Sequence, residues 1–559
     1  MLIVDKINFV NEGRKILRDV TFSIDREHKV LVGENGTGKT TLLEIIIGSL
    51  TPDSGKVLLN GTFAYIPQEI KFLDRTGIEE IESAFQNIKT IEEKLSRIEK
   101  SENFNEKYGK LIAQYESIGG YSYKQTMYSM IDKFRLSEET VSLKLRNMSG
   151  GERTKCLIIK ALLSQPDLLI LDEPTNHLDI ESIETLEESL KKFNGGLLIV
   201  SHDKTFINRI ATHILHLKGR KVEEYKGNYD KFDETKNRND TTKIKERERL
   251  LKIIEKEKIF IEKFRYGTRA KQAKSREKKL QKIEVPEVEK ERQKKIQIEM
   301  AGRGGEKVAE LFHIKKSFGQ KNVLNDITLL IKRKERIGIL GRNGSGKSTL
   351  LKIIVGKENA DSGSVKIGNS ISIGYFPQDA FLMDPESTPL NEIIAYGYTI
   401  PDARDVLALF DFTGDDVFKQ IREFSGGEKK KLLLAKMSIM KGNFLVLDEV
   451  TNHLSIPMKE VVLEALKNFD GTILLVTHDR YVLKNLVNKT YYLKNGKLHA
   501  KQLEDKKNTK DSSQKEINKI NSRIAYLEKL LKNEHSNEKK IKELNILKKK
   551  AQLLYKKSK

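Results

Sequence analysis

Two segments combine glycines, a lysine and a hydroxyl in the pattern of a phosphate-binding loop. They read GENGTGKT at residues 33–40 and GRNGSGKS at 341–348. Each lies between a strand-like and a helix-like apolar run, so backbone N–H groups and a helix N-terminus can face phosphate oxygens. The lysines would contact the outer phosphates of a nucleotide, and the hydroxyls would hold Mg²⁺. These pairs are Lys39 with Thr40 and Lys347 with Ser348.

Two acids end each of two further apolar runs, LLILDE at 168–173 and FLVLDE at 444–449. Such runs are typical of buried parallel strands, and a carboxylate at a strand end can bind the metal of a nucleotide. The second acid could orient or deprotonate an attacking water. Acids at strand ends also commonly cap helices, so each pair alone leaves both interpretations open. The predicted metal-binding acids are Asp172 and Asp448, and the predicted catalytic acids are Glu173 and Glu449.

The chain repeats these segments in the same order, which predicts two copies of one domain. Gln68 and Ser149 lie 81 positions apart but Gln378 and Ser425 only 47, so the first copy carries 34 extra residues (81 − 47). A histidine after an apolar strand is more often structural, but its matched position in both copies assigns it to the nucleotide site. The matched segments, besides the loops and acids, are Tyr65–Gln68 with Tyr375–Gln378, Ser149–Glu152 with Ser425–Glu428, and Ser201–Asp203 with Thr477–Asp479, which contain His202 and His478.

Helical patterns outside the shared parts predict three appendages. Apolar residues at helical spacing over about 85–118 indicate a two-helix arm in the first copy. Residues 230–305 read as two long helices that meet near 266–268, and 501–559 as a short antiparallel coiled coil. The predicted organisation is an α/β protein with a first nucleotide-binding domain at 1–229, a helical linker at 230–305, a second domain at 306–500 and a coiled coil at 501–559.

The positive charge is concentrated in two of these appendages. The chain of 559 residues has a formal charge of +22, of which residues 230–305 hold 24 Lys and Arg against 15 acids and residues 501–559 hold 18 against 8. This charge predicts a polyanionic partner, and nucleic acid is the first hypothesis. The alternative is that the lysine-rich helices are only exposed to solvent and bind no partner through their charge. The predicted RNA-binding residues lie just after the linker turn: Lys263, Arg265, Arg269, Lys271, Lys274, Arg276, Lys278, Lys279 and Lys282.

Length and composition exclude several classes of protein. The length excludes one small domain. The single cysteine, Cys156, excludes an internal disulfide framework and a cysteine-cluster zinc site, and its apolar surroundings predict a buried thiol in a reducing compartment. No apolar run reaches the roughly 18–20 residues of a membrane span, and the first residues do not read as a secretion signal. We therefore expect a cytoplasmic protein.

Together these motifs resemble the ATP-binding cassette family. Ser-Gly-Gly-Glu at 149–152 and 425–428 is similar to its signature, and His202 and His478 to its switch histidines. Two cassettes in one chain, DEPTNHLD at 172–179, a helical arm and a basic linker resemble the F-type subfamily (ABC-F). The resemblance covers about 450 residues.

The resemblance implies an ATPase with Mg²⁺ as cofactor, whose cassettes close head to tail over two ATP molecules. Each signature would then complete the site of the other cassette. The implied catalytic residues are Glu173, Glu449, His202 and His478. The implied metal site residues are Thr40, Gln68, Asp172, Ser348, Gln378 and Asp448. The implied ATP-binding residues are Gly33, Asn35, Gly36, Gly38, Lys39, Thr40, Thr41, Gly341, Asn343, Gly344, Gly346, Lys347, Ser348, Thr349, the adenine-stacking Phe318, and Ser149, Gly150, Gly151, Ser425, Gly426 and Gly427.

The chain departs from the family pattern in ways that predict unequal sites. Ser455 stands where the first copy has Asp179, and Val450 replaces the proline at position 174. Alignment with Phe318 puts Asn11 in the first copy, so the adenine-stacking residue there is open.

For partners, the resemblance implies the ribosome, with rRNA and tRNA, and a role in translation. A ribosomal protection factor that gives antibiotic resistance shares every motif and remains an alternative, as do the ATP-binding subunit of a membrane transporter and a DNA-processing ATPase. Because one chain supplies both cassettes, a monomer is the simplest expectation.

Overall fold

The computed structural model describes most of the chain up to residue 501. The residues outside the described part are 12, 35, 69–73, 99–104, 177, 264–274, 276–279, 281–297, 299, 301, 320, 378–382, 440, 453 and 502–559. Contacts divide the chain into two compact units, Met1–His499 and Ala500–Lys559. The predicted linker turn and all but the first residue of the predicted coiled coil therefore lie outside the described residues, and these two parts stay predictions.

The first cassette contains two sheets. An antiparallel sheet has the order β2-β1-β4, and a second sheet has the order β5-β6-β7-β3-β8-β9, in which only the β8–β9 pair is antiparallel. Every residue of β6 and β7 is buried, as expected for parallel strands covered on both faces. The strands are β1 (Leu2–Asn11), β2 (Arg14–Ile24), β3 (His28–Val32), β4 (Ser54–Leu59), β5 (Phe63–Ile66), β6 (Leu168–Asp172), β7 (Gly196–Val200), β8 (His213–Lys218) and β9 (Lys221–Lys226).

Helices cover both faces of the parallel sheet. Leu42 and Leu43 of α1 pack between the two sheets, with Leu2 of β1 and Ile170 of β6 in one core cluster. The opposite face is covered by α5, α7, α8 and α9, whose apolar residues form a second cluster. The helices are α1 (Lys39–Ile46), α2 (Gly77–Glu82), α3 (Gln86–Ile98), α4 (Asn105–Ser117), α5 (Tyr123–Lys133), α6 (Glu138–Ser142), α7 (Gly150–Leu163), α8 (Ile180–Lys191), α9 (Lys204–Ile210) and α10 (Tyr229–Lys263).

The second cassette has the same topology. Its antiparallel sheet has the order β11-β10-β13 and its main sheet the order β14-β15-β16-β12-β17-β18. The elements are β10 (Lys307–Phe318), β11 (Lys321–Lys332), β12 (Arg336–Gly341), α11 (Lys347–Ile354), β13 (Ser362–Ile367), β14 (Ile373–Phe376), α12 (Pro389–Ile394), α13 (Ile400–Leu409), α14 (Gly426–Ile439), β15 (Phe444–Asp448), α15 (Ile456–Asn468), β16 (Thr472–Val476), α16 (Arg480–Leu486), β17 (Lys489–Lys494) and β18 (Lys497–Lys501). The predicted α/β fold with two cassettes is confirmed.

The segment between Gln68 and Ser149, where the first cassette carries its extra residues, contains two helices that contact each other. Tyr115 of α4 donates a hydrogen bond to Glu92 of α3 at 2.7 Å. Ile88 and Ile91 of α3 are buried. The polar break predicted between the two helices, at 101–103, lies outside the described residues.

Helix α10 begins in the core of the first cassette and occupies the first half of the predicted linker. Tyr229 and Phe232 are buried there, and the Phe232 ring lies 5.0 Å from that of Tyr225 on β9. The helix has 35 residues and is therefore about 50 Å long. No helix among the described residues is long and apolar enough to cross a membrane.

Candidate nucleotide sites

Each predicted phosphate loop lies between the end of a central strand and a helix. The loops follow β3 and β12, and Lys39 and Lys347 are the first residues of α1 and α11. The Lys39 ammonium donates to the carbonyls of Gly33 and Glu34 at 2.9 and 2.8 Å, and Lys347 does the same to Gly341 and the next residue. Burial lowers the pKa of both lysines, although nearby acids oppose this effect. Both cations are therefore held inside their loops by backbone oxygens, where outer phosphates could replace those contacts.

Gly38 and Gly346 immediately precede these lysines, and no other residue type fits their positions without strain. Their φ angles are 99° and 97°, in the left-handed region. A Cβ atom would lie 2.5 Å from Ile16 at the first position and 2.5 Å from Val323 at the second. The two glycines therefore allow the loop to pass close to β2 and β11 before the helix begins.

Oxygen ligands suitable for Mg²⁺ meet beside each loop. The Thr40 hydroxyl lies 3.5 Å from Asp172, Gln68 lines the same pocket, and Ser348 hydrogen-bonds Asp448. Burial raises the pKa of both aspartates to about 6, and one Asp448 oxygen is buried without a hydrogen-bond partner among the described residues. Bound Mg²⁺ would supply charge neutralisation for the phosphates, and hard oxygen donors are the ligands it prefers. The donor set fits this ion.

The two predicted catalytic glutamates share an unusual backbone conformation. Glu173 and Glu449 have φ angles of 49° and 50°, and each donates its N–H to the end of the neighbouring strand, to Val200 and Val476 at 2.9 Å. Non-glycine residues rarely occupy this region, and such strain is often found at functional sites. Burial, and then Asp172, raise the pKa of Glu173 above its usual range. Such a carboxylate is a stronger base for a water proton than an exposed one.

Each predicted histidine lies beside the glutamate of its own cassette. His202 Nε2 is 3.4 Å from Glu173, and the His202 backbone N–H donates to the same carboxylate at 3.3 Å. His478 Nε2 is 3.5 Å from Glu449. Burial, and then Lys347, lower the pKa of His478 to about 3, so it is neutral near pH 7 and this contact is not an ion pair.

The first cassette contributes to the site of the second. A pocket of about 380 Å³ lies over the second phosphate loop. Asp179, which caps α8, lies near Lys347 and His478 and is 3.6 Å from Lys155 of α7, with both side chains buried. Burial raises the pKa of Asp179, but Lys155 and Ser182 outweigh this effect and hold the pKa below its usual value. The pocket is lined by Thr175, Asn176 and Leu178 of the first cassette and by Phe318, Val323, Asn343, Gly344, Gly346, Lys347, Ser348, Thr349, Glu449, Asn452 and His478 of the second.

Comparisons with known proteins place this geometry in a family. The model of the ABC transporter family matches residues 17–176 and 324–452, and a second model with the same description matches 215–300. The chain is 34% identical to ABC transporter F family member 5 of Arabidopsis thaliana over 509 residues, which are 87% of this chain and 74% of that protein. The chain belongs to the ABC-F family. The ABC-F chain is also 33% identical to the energy-dependent translational throttle protein EttA of Mycobacterium tuberculosis over 501 residues, 86% of this chain and 88% of that one.

A solved structure agrees with the fold of this ABC-F protein. The archaeal ribosome recycling factor aABCE1, in complex with the stalk protein aP1, matches with a TM-score of 0.59 and 18% identity. The match covers 88% of this chain and 89% of that one.

The signature residues of the ABC-F chain begin helices in both cassettes. Ser149 and Glu152 form a reciprocal capping box at the start of α7, and Ser425 and Glu428 make the same contacts at α14. Ser149 and Gly151 are not among the described lining residues of the second pocket. The second phosphate loop does contact the first cassette, because Arg342 donates to the Arg135 carbonyl at 2.9 Å.

The structure describes some of the remaining predicted residues and not others. Phe318 is half-exposed and lines the second pocket. Phe9 is partly buried against the core of the first cassette. Asn35, Gln378 and the side chains of all nine predicted RNA-binding residues lie outside the described residues.

Two residues at the sites were not singled out from the sequence. Asn452 donates to Glu449 at 2.6 Å, and the repeated Thr-Asn-His-Leu at 175–178 and 451–454 could have indicated it. Lys459, on α15, donates to the His202 carbonyl of the other cassette at 2.9 Å. No repeat signal marks Lys459, because Ile183 occupies the matching position.

Proposed function

We propose that this ABC-F protein is a cytoplasmic ATPase that binds the ribosome and acts in translation, as a monomer whose two cassettes close on ATP and separate after hydrolysis. The observation that carries the proposal is the same in both cassettes: a hydroxyl lies beside an aspartate, a histidine lies within 3.5 Å of a glutamate, and a lysine is held inside the adjoining glycine-rich loop. Each set is also contacted by the other cassette, the second by Thr175, Asn176 and Leu178 and the first by Lys459.

The proposed chemistry divides among these residues. Lys39 and Lys347 would bind the outer phosphates, while the neighbouring hydroxyls and aspartates hold Mg²⁺ with the ATP. Glu173 and Glu449 would each orient a water and accept its proton. A signature helix from the opposite cassette would face the γ-phosphate with its N-terminus, which favours closure while ATP is bound.

Two observations support the ribosome as the partner. The first is the name of EttA, a translational throttle protein that is 33% identical over 86% of this chain. The second is the charge of residues 230–305, which begin in α10 and could project about 50 Å from the first cassette. Lys and Arg side chains there would release counterions from RNA and give salt-sensitive binding.

The test is sedimentation with purified ribosomes. A Glu173→Gln/Glu449→Gln double variant with ATP should hold the closed state and pellet with ribosomes, less so as salt is raised. The same variant without ATP is the control. If the trapped protein binds ATP but stays in the supernatant, ribosome binding is wrong, and membrane and DNA binding assays then test the transporter-subunit and DNA-processing alternatives.

Within translation, the parent chain separates a general factor from a drug-protection factor. A general factor should change peptide synthesis in a purified system that contains no antibiotic. A protection factor should matter only when a ribosome-targeting antibiotic is present, which would appear as restored synthesis on adding the parent chain.

A further inference from the structure

Lys459 is a buried cation of the second cassette that reaches the catalytic loop of the first. Its ammonium donates to the His202 carbonyl at 2.9 Å and to Asp479 at 2.9 Å. The Lys459 side chain is only 12% exposed. A lysine buried to this extent costs desolvation energy, so its two hydrogen bonds and its charged partner must stabilise it there.

The contact connects the two cassettes through a short series of hydrogen bonds. Asp479 directly follows His478 in the chain. Lys459 joins Asp479 to the His202 carbonyl, and the His202 N–H in turn donates to Glu173 at 3.3 Å. The loop that carries His202 is therefore held between its own glutamate and a side chain of the other cassette.

The two sites differ at this point. Ile183 occupies the position of the first cassette that matches Lys459, since both lie four residues after the aligned pair Asp179 and Ser455. Ile183 is buried in the core of the first cassette and has no polar atom on its side chain with which to hold the His478 loop. The second site has instead the carboxylate of Asp179 near His478.

We propose that Lys459 is a positioning residue for hydrolysis in the first site alone, where it holds the His202 loop and so the relation of His202 to Glu173. The proposal rests on the hydrolysis proposed above. Lys459 would act across the cassette interface, so only a closed pair of cassettes has a correctly arranged first site.

The test measures each site separately in the full chain. Glu449→Gln leaves the first site as the hydrolysing one, and Glu173→Gln leaves the second. In the Glu449→Gln background, Lys459→Met should lower the single-turnover rate of ATP hydrolysis about tenfold or more, because a small misplacement of a catalytic group has an effect of that size. In steady-state assays the ATP concentration at half-maximal rate should stay unchanged, and Lys459→Arg should restore most of the single-turnover rate.

Two control measurements distinguish a positioning role of Lys459 from a general weakening of the contact between the cassettes. In the Glu173→Gln background Lys459→Met should leave the rate unchanged. Lys204→Met is the matched control, because Lys204 also crosses the interface, to Glu460 at 2.8 Å, and its described contacts do not include Glu173 or His202. Lys204→Met should leave first-site hydrolysis unchanged.

The outcomes distinguish the two proposals. If neither background of the parent chain hydrolyses ATP, the proposed ATPase activity is wrong and the role of Lys459 falls with it. If the parents hydrolyse ATP and Lys459→Met changes nothing, or slows both sites equally, only the assignment of Lys459 is wrong.

Discussion

Glu173 and Glu449, the proposed catalytic residues, share a backbone conformation that is rare for residues other than glycine. Both have a left-handed backbone at the end of a buried strand, and both donate their N–H to the next strand of the sheet. These contacts help to hold a conformation that costs about 1–3 kcal/mol and persists only where the surrounding structure enforces it. The carboxylates consequently lie next to a histidine and, for Glu173, next to Asp172.

A residue-scale prediction concerns the only cysteine. Cys156 is buried in α7, and burial raises the pKa of its thiol to about 12. At pH 8 only about one molecule in ten thousand then carries a thiolate, so alkylation by iodoacetamide should be very slow in the folded protein and fast in urea. Because the unfolded thiol ionises near pH 9 while the folded one does not, this group should lower stability as pH rises above 9. Rapid alkylation of the native chain, followed by mass spectrometry, would contradict this.

At the scale of elements, helix starts serve both the fold and the sites. Phosphate loops lead into α1 and α11, signature serines cap α7 and α14, and Asp179 caps α8 beside the second site. A helix start without a side-chain cap leaves backbone N–H groups that can face an anion. At a capped start, the side chain of the capping residue accepts a hydrogen bond from one of these N–H groups.

The element-scale prediction compares two capping boxes. Ser149 caps α7 and Thr76 caps α2, each with a glutamate three residues later. Ser149→Ala and Thr76→Ala should each lower the free energy of unfolding by about 1 kcal/mol. Only Ser149→Ala should also weaken ATP-dependent closure of the cassettes, which small-angle scattering with ATP would measure. Equal effects on closure would exclude a role of Ser149 in the second site.

At the scale of the whole molecule, the cassettes contact each other through buried charges as well as apolar residues. Arg480 of the second cassette donates to both carboxylate oxygens of Glu187, which also accepts from Arg209 at 2.6 Å. Ile456 of α15 belongs to the core cluster of the first cassette. Lys204 crosses in the opposite direction, from the first cassette to Glu460, but Lys459 has only Ile183 at its matching position, so the interface is not symmetric.

The whole-molecule prediction tests that interface. Arg480→Met should leave one side of the buried Glu187 carboxylate unpaired and cost about 3 kcal/mol of stability. Calorimetry of Arg480→Met should show two separate unfolding transitions, one for each cassette. Lys334→Met is the control, since its partner Asp470 is 70% exposed and such surface pairs contribute less than about 1 kcal/mol. A single unchanged transition in Arg480→Met would show that the cassettes are joined by other contacts.

The two α/β cassettes, and most of the residues proposed for each nucleotide site, could be predicted from the amino-acid pattern alone. Phosphate loops, strand-end acids and histidines are recognised from short residue patterns, because neighbouring residues determine the turns and strands that carry them. Each pattern occurs in both copies, so one copy supports the interpretation of the other. The contacts between the cassettes became visible only in the folded protein. Lys459 and Glu187 contact the opposite cassette through packing of helices far apart in the chain. Their matching positions in the other copy are the apolar Ile183 and Leu463, so the repeat leaves no signal that could mark them.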